Sequence, residues 1–289
     1  MKPIVSVITP CFNQGQYLAD LLESVDATCS DPHEVIVVDD GSTEPLTLRC
    51  LRRLSARSEK QKLVVITKSN GGLPSARNEA LRVAEGEFVQ FLDADDLVTK
   101  KKLELQIGAL RANEGHAVHL SEYVLCDAHR NRFWRPEKST VTGFEYSVNS
   151  FVANWERGLS IPIHCALFRA ESIAGIFFDE QLRAKEDWIF WISLALTGAK
   201  FLYADFVGAV YRQHNNNMCK NGREMAVSWL RAINHLRSMG IPMSAEAESS
   251  LIDHYNNFYV RYFGVVGGTL SGNARNGVSD LNFLLTLVD

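Results

Sequence analysis

Four short apolar runs, each followed by a polar cluster and then by a helix-forming stretch, constrain this chain more than any other feature. Ile4 to Thr9, Glu34 to Val38, Leu63 to Thr67 and Phe88 to Leu92 read as strands. Between them, Tyr17 to Val25, Leu46 to Arg57 and Pro74 to Ala84 carry apolar residues at helical spacing, and Thr99 to Arg111 follows the fourth, with Thr99 as its expected N-cap. Strands separated by helical patterns of about 10 to 15 residues mean βαβ units and a largely parallel sheet. In such a sheet ligands bind outside the carboxyl ends of the strands. Those ends carry Pro10 to Asn13, Asp39 to Ser42, Asn70 to Gly72 and Asp93 to Asp96.

The fourth cluster is the most informative. Asp93, Asp95 and Asp96 emerge together where an apolar strand ends, and burying unpaired charge there costs stability. Mg²⁺ or Mn²⁺ takes oxygen ligands from one or two acids plus substrate phosphates, which explains acids rather than lysines beside a phosphorylated ligand. The plain alternative is a helix N-terminus enriched in acids. Asp39-Asp40-Gly41-Ser42 reads either as an acceptor for a base or ribose or as a turn and cap. The glycines of Asn70-Gly71-Gly72 permit close backbone approach, and Arg77 one turn later either meets a phosphate or is a surface arginine. No Lys-Ser/Thr pair makes this a P-loop. Glu186-Asp187 supplies either partners for a helix dipole or a general base. His214 reads as a ligand or as an ordinary loop histidine.

Beyond Ala117 the pattern changes. Val118 to Leu125 and Phe133-Trp134 suggest short strands around the turn Asp127 to Asn131. Ile163 to Phe168 and Val207 to Arg212 suggest two more, with a buried helix over Glu186 to Leu196. From Arg223 the reading is helical, broken at Gly240-Ile241-Pro242, and the chain stops in an apolar run, Asn282 to Val288, that either docks or marks a cut from a longer polypeptide.

The chain has 289 residues, 46% of them hydrophobic and 22% charged, with a net charge of −4, which argues against a general nucleic-acid binder. No stretch approaches the roughly 18 apolar residues of a membrane span. Ile4 to Thr9, cut by Pro10, is too short for a signal peptide. Six cysteines at 11, 29, 50, 126, 165 and 219 form no CxxC pair, so reduced, mostly buried thiols in a cytosolic protein are expected. Cys11 or Cys165 as a nucleophile lacks a visible activating partner. Arg49, Arg52, Arg53 and Arg57 form a stripe at helical spacing, read as a solvated face or as contact with an anionic membrane surface.

Taken in order, these segments resemble the family 2 glycosyltransferases with the GT-A fold. The resemblance is carried by Val5 to Pro10 with Phe12-Asn13 and Tyr17-Leu18, Val35 to Ser42, Asn70 to Gly72 with Ala76-Arg77-Asn78, and Phe91 to Leu97 with its DXD motif. It continues through Leu167-Phe168-Arg169, Phe178-Asp179-Glu180, Glu186-Asp187-Trp188 and Tyr211-Arg212-Gln213-His214. It implies an α/β fold: a Rossmann-like nucleotide-binding mixed sheet flanked by helices, with a C-terminal helical extension. It also implies a glycosyltransferase domain over 1–215 (a donor half 1–115 and an acceptor half 116–215) and the extension over 216–289.

The activity implied is inverting transfer from a nucleotide-diphosphate sugar, expected to be UDP-linked, to the hydroxyl of a saccharide, lipid-linked or other acceptor, as in surface polysaccharide or glycoconjugate synthesis. By the resemblance Asp39 contacts the base, Asp93 the ribose, and Asp95 a Mn²⁺ or Mg²⁺ cofactor, helped by His214. Thr9, Pro10, Asn13 and Asn70 line the nucleotide pocket, and Arg77 approaches the nucleotide or phosphates. Asp187 is the general base, with Glu186 as its rival. A cytoplasmic location with peripheral contact at the inner membrane surface is expected, and no nucleic-acid partner. The competing readings are a non-catalytic nucleotide-sugar-binding module, which should have lost the metal acids or the Glu186-Asp187 pair, and a sugar nucleotidyltransferase, which should carry a Gly-rich, basic loop after the first strand. Trp134 and His164-Cys165 are candidates for the acceptor side, although core packing explains them equally well.

Overall fold

The computed structural model describes residues 2–28, 31–55, 62–137, 140–155, 157–215, 217 and 222–262. Arg57, Cys29, Cys219 and the run 282–288 lie outside them. The donor half alternates β1 (Val5–Cys11), α1 (Leu18–Asp26), β2 (His33–Asp39), α2 (Pro45–Ser55), β3 (Lys62–Thr67), α3 (Leu73–Val83) and β4 (Phe88–Phe91). The pair β5 (Leu97–Val98) and α4 (Lys102–Ala112) completes it. The second half holds β6 (Val118–Asp127), β7 (Phe133–Trp134), α5 (Val148–Asn154), β8 (Ala166–Arg169), α6 (Glu186–Leu196) and β9 (Phe201–Gln213), followed by α7 (Gly222–Ser238) and α8 (Ala245–Tyr262).

These strands form one mixed sheet in the order β3-β2-β1-β4-β8-β6-β9-β5, with β7 paired to β6. The β3, β2, β1 and β4 pairings are parallel, as the βαβ pattern requires, whereas β8 is antiparallel to both β4 and β6. One apolar cluster joins Ile8, Ile36 and Phe91 to Phe168, Phe178, Phe190 and Trp191. A second packs Val5, Val7, Val35 and Val37 against Leu18, Leu21, Leu103 and Ile107. Because alternate strand residues face opposite sides of the sheet, β1 and β2 feed both clusters, and every residue of β1 is buried. Trp188 packs at a tilt against Trp229 of α7, ring centroids 4.8 Å apart, and Ser250 of α8 donates to the Ala153 carbonyl, so α7 and α8 cover α6 and α5.

Several expectations are corrected. Pro10 does not end β1: it pairs with Val38 inside the strand. That is tolerated because β4 pairs with β1 only as far as Ile8↔Phe91, so nothing on that side asks for the missing N–H. Thr99 does not cap α4. Its hydroxyl donates to the Val207 carbonyl at 2.8 Å, and Lys101, in left-handed geometry at φ 69°, precedes the helix instead. Ile163 to Cys165 is a 3₁₀ turn rather than strand. β9 extends far beyond Val207 to Arg212, and β5 and α5 were not read at all, being short and bounded by polar residues.

A buried polar network ties α4 to β4, β6 and the 3₁₀ turn Ile163–Cys165. The Lys102 ammonium is wholly buried and donates to the Gln90 amide oxygen and to Gln106 Oε1 at 2.6 Å. Gln106 in turn donates to the His119 carbonyl at 2.9 Å and the Cys165 carbonyl at 3.1 Å. With amide oxygens and no carboxylate bonded to it, Lys102 is pushed by burial down to about 7. Between about pH 7 and its ordinary value of 10.5 the folded chain therefore binds fewer protons here than the unfolded chain. This contribution makes stability rise with pH across that window, and it is lost as pH falls through 7. Urea denaturation of wild type and Lys102→Met from pH 6 to 9 should show the rise in the wild type and a flatter profile in the variant; parallel profiles would refute this origin.

Candidate active site

The polar clusters converge at the carboxyl ends of β1, β2, β3 and β4, and hydrogen bonds join them. Asn13, in left-handed geometry at φ 54°, accepts the N–H groups of Thr43 and Glu44 at 2.9 Å each, and its own N–H donates to Ser42 Oγ. It therefore braces the start of α2. Asp39 accepts the Ser42 N–H at 2.9 Å. Asp40, given no role of its own in the sequence analysis, is the latch for the glycine loop: its carboxylate accepts the N–H of Gly71 at 2.9 Å and of Gly72 at 2.7 Å, and pairs with Lys68. Gly41 needs its freedom here, with φ 74° and a hypothetical Cβ only 2.8 Å from the Asn70 N. Asn70 is exposed beside this latch, whereas Thr9 and Pro10 are buried in β1, the Thr9 hydroxyl without a partner.

Arg77 departs from the picture of a flexible phosphate ligand. It is 2% exposed, its guanidinium lies 5.1 Å from the Phe178 ring centroid, and it holds two carboxylates from distant parts of the chain. One nitrogen donates to Asp93 at 2.8 and 3.0 Å, and another to Glu186 Oε1 at 2.8 Å across 109 positions of sequence. Burial opposes its charge, but Asp93 and Glu186 outweigh burial and hold it protonated. Its neighbour Asn78 donates to the Phe178 carbonyl and accepts the Phe178 N–H, pinning the segment that leads into α6. The Ala76-Arg77-Asn78 motif thus ties α3 to the Glu186-Asp187 pair.

The two acids of that pair differ. Glu186 is buried, and burial pushes its carboxyl up to about 7; Arg77 pulls the other way and Asp187 adds to the rise. Asp187 is half-buried, with Oδ1 accepting the Trp188 N–H at 2.8 Å. Lys185 precedes them at φ 67°, turning the chain so that both acids fall in the first turn of α6.

At the other end of the cluster Asp95 Oδ2 lies 2.7 Å from His214 Nε2 and accepts the Gln14 amide at 2.9 Å. The His214 ring stacks on Tyr17 at 5.3 Å. Among the described residues no group of three or more His, Cys, Asp or Glu side chains could hold a metal ion alone. A carboxylate and an imidazole within reach of each other are hard and borderline donors that suit Mn²⁺ or Mg²⁺ when a diphosphate completes the coordination, so the donor set fits. Asp96 turns away into the protein: it accepts the Arg212 N–H at 2.8 Å and sits 3.1 Å from His164, and burial pushes it up to about 6 against the pull of His164. Burial likewise raises Cys11 to about 12 and Cys165 well above the ordinary thiol value, which leaves neither as a thiolate.

Arg212 is the organising residue on this side that sequence reasoning passed over, although it lay within the Tyr211 to His214 motif. It is 2% exposed and donates to the Asp95 carbonyl at 2.7 Å, the Ala128 carbonyl at 3.0 Å and Asp20 at 3.1 Å, with Tyr17 under its guanidinium at 4.6 Å.

Comparison with known proteins accords with this arrangement. TuaG of Bacillus subtilis (strain 168), described as a putative teichuronic acid biosynthesis glycosyltransferase, is 43% identical over 107 residues, covering 37% of this chain and 41% of TuaG. The chain spans about half or less of the length of the first curated relatives it matches. S. aureus TarS (residues 1–349, with UDP-GlcNAc) superimposes with a TM-score of 0.65 at 24% identity, covering 95% of this chain and 78% of TarS. The mannosyltransferase PcManGT of Pyrobaculum calidifontis, solved with GDP-Man and Mn²⁺, gives 0.62 at 19% identity, covering 95% and 79%. Both likenesses are of fold, and the fold is GT-A. The model described as glycosyl transferase family 2 matches residues 6–177, more than half of the chain, and the protein therefore belongs to glycosyl transferase family 2.

Proposed function

We propose that the chain transfers a sugar from a nucleotide-diphosphate donor, most simply a UDP-sugar, to an acceptor hydroxyl with inversion at the anomeric carbon. The observation that carries this reading is Arg77, which binds the donor-side acid Asp93 and the base-side acid Glu186 with one guanidinium. Names of similar proteins add support: TarS was solved with UDP-GlcNAc, PcManGT with GDP-Man and Mn²⁺, and TuaG is described as a putative teichuronic acid biosynthesis glycosyltransferase. By this analogy the product belongs to a surface polysaccharide or glycoconjugate. A binding module without catalysis is disfavoured because both the Asp95–His214 pair and Asp187 are retained.

In this proposal Asp39, with Thr9, Pro10, Asn13 and Asn70 around it, forms the nucleotide end, and Asp93 takes the ribose. Asp95 and His214 would hold Mn²⁺ or Mg²⁺, which supplies positive charge against the diphosphate as it leaves. Asp187 accepts the proton of the acceptor hydroxyl while that oxygen bonds to the anomeric carbon and the bond to the diphosphate breaks. Attack from the face opposite the leaving group inverts the centre. Asp187 is favoured over Glu186 because Glu186 is buried and committed to Arg77. Arg77 then positions the acids rather than touching phosphate. We further propose 1–215 as the catalytic unit, in donor (1–115) and acceptor (116–215) halves, with 216–289 as its extension. No helix among the described residues is long and apolar enough to cross a membrane; a cytoplasmic location with peripheral membrane contact is part of the proposal.

Thermal-shift titration with UDP-, GDP- and dTDP-sugars, with and without Mn²⁺, tests the donor and metal together. Asp187→Asn should keep the donor shift and lose transfer by roughly 10²-fold or more; wild-type rates of nucleotide diphosphate release would reject its role. Asp95→Ala should abolish the Mn²⁺-dependent part of the donor shift, and an unchanged shift would reject the metal assignment. Arg77→Met leaves two carboxylates unpaired, and urea denaturation should show a loss of about 3 to 5 kcal/mol; a loss within experimental error would mean the pairings are not formed in solution.

A further inference from the structure

Strand β6 has two edges. One pairs with β9 along Val118 to Asp127. The other pairs with β8 over Val118 to Leu120 and with β7 at Leu125 and Cys126, so among the described residues Ser121 to Val124 pair with no strand on that side. At this level the 3₁₀ turn Ile163–Cys165 lies between β6 and the end of β4 that bears Asp93 and Asp95: Ser121 donates to the Cys165 carbonyl at 3.1 Å, Gln90 of β4 donates to the His164 carbonyl at 3.2 Å, and Ser121, Glu122 and Tyr123 are buried. β7 lies farther along the same edge of β6, beyond this turn.

The β6–β7 hairpin is held to the site. Within the turn Asp127 accepts the Asn131 N–H at 2.8 Å, and its own N–H donates to the Arg132 carbonyl. Arg130 pairs with Asp20 at 3.1 Å, and Arg212 bonds the Ala128 carbonyl, Asp20 and the Asp95 carbonyl together. On this fixed hairpin Phe133 and Trp134 are 55% and 40% exposed and, as consecutive residues of β7, they face opposite sides of it, so that each offers its own aromatic face. Arg132 and Arg135 flank them, exposed and without an ion pair to any described residue. Aromatic faces pack against the C–H faces of sugar rings, and unpaired guanidinium groups match carboxylate and phosphate oxygens.

We propose that the β6–β7 hairpin is the acceptor subsite and takes a saccharide chain bearing oxyanions, carboxylate or phosphate. This rests on the glycosyltransferase reading and extends it to the acceptor's chemistry. A bilayer is the poorer occupant, because the aromatics lie along a strand hydrogen-bonded to β6 while the turn is tied down, so no apolar tip projects.

Trp134 makes the test direct, since Trp155, Trp188, Trp191 and Trp229 are buried and acrylamide quenching reads Trp134. An oligogalacturonate, a glycerol-phosphate oligomer, a neutral galactan oligosaccharide of equal length and phosphatidylglycerol vesicles serve as probes on the full chain. At least one anionic chain should protect Trp134 at roughly fivefold to tenfold lower concentration than the neutral one, and the better of the two identifies the oxyanion. The double variant R132A/R135A, its fold checked by circular dichroism melting, should bind anionic and neutral chains alike. Equal protection by the neutral chain, protection by vesicles alone, no protection by either anionic chain, or undiminished preference in the double variant would each overturn the proposal. The UDP-sugar thermal shift on the same wild-type preparation separates the two failures: a shift without protection sinks the subsite alone, and no shift with any donor sinks the reading beneath it.

Discussion

One buried cation facing three acids governs the centre of this protein. Arg77 is taken out of water at a cost of several kcal/mol for the ion alone, and only close, hydrogen-bonded partners offset that cost. Asp93 and Glu186 supply them, at 2.8 Å each. Burial raises the Glu186 carboxyl against the pull of Arg77, and the further negative charge of Asp187 nearby adds to that rise. The same guanidinium that neutralises the end of β4 therefore fixes the start of α6. Two halves of the sheet, each with its own connections, are brought into register by charge rather than by strand pairing alone.

Arg212 repeats this logic on the opposite flank. It bonds the backbone of Asp95, a carbonyl of the β6–β7 turn and the side chain of Asp20 in α1, all from one buried position. The loop that presents Asp95 is thereby held by Arg212, while the Lys102 network ties α4 to β4, the strand that leads into that loop. Backbone strain falls in the same places. Asn13, Lys101 and Lys185 adopt left-handed geometry without being glycine, and they precede α2, α4 and α6 or brace the turns before them. Such residues cost on the order of 1 kcal/mol each and persist where surrounding contacts over-determine them.

Burial and partners distinguish residues that the sequence left alike. Asp93 and Asp95 were legible as site candidates because three acids after an apolar strand exceed what helix capping needs. Asp96 was legible only as their neighbour, and its place against Arg212 and His164 depends on β9 and the 3₁₀ turn, elements far away in sequence. Asp40 looked interchangeable with Asp39. The tertiary structure separates them, since Asp40 spends its carboxylate on Gly71, Gly72 and Lys68.

The sequence by itself determined the parallel half of the sheet, the order of the strand-end clusters and the family, because local periodicity and short motifs encode those features along the chain. The tertiary structure alone decided that Pro10 stays inside β1, that Thr99 stitches to β9 instead of capping α4, and that β7 pairs with the end of β6. It also decided that Arg77 is an internal brace. These outcomes depend on which hydrogen-bonding edges are occupied and on which charges lose water, and both are set by residues tens to more than a hundred positions apart, beyond the reach of any local pattern.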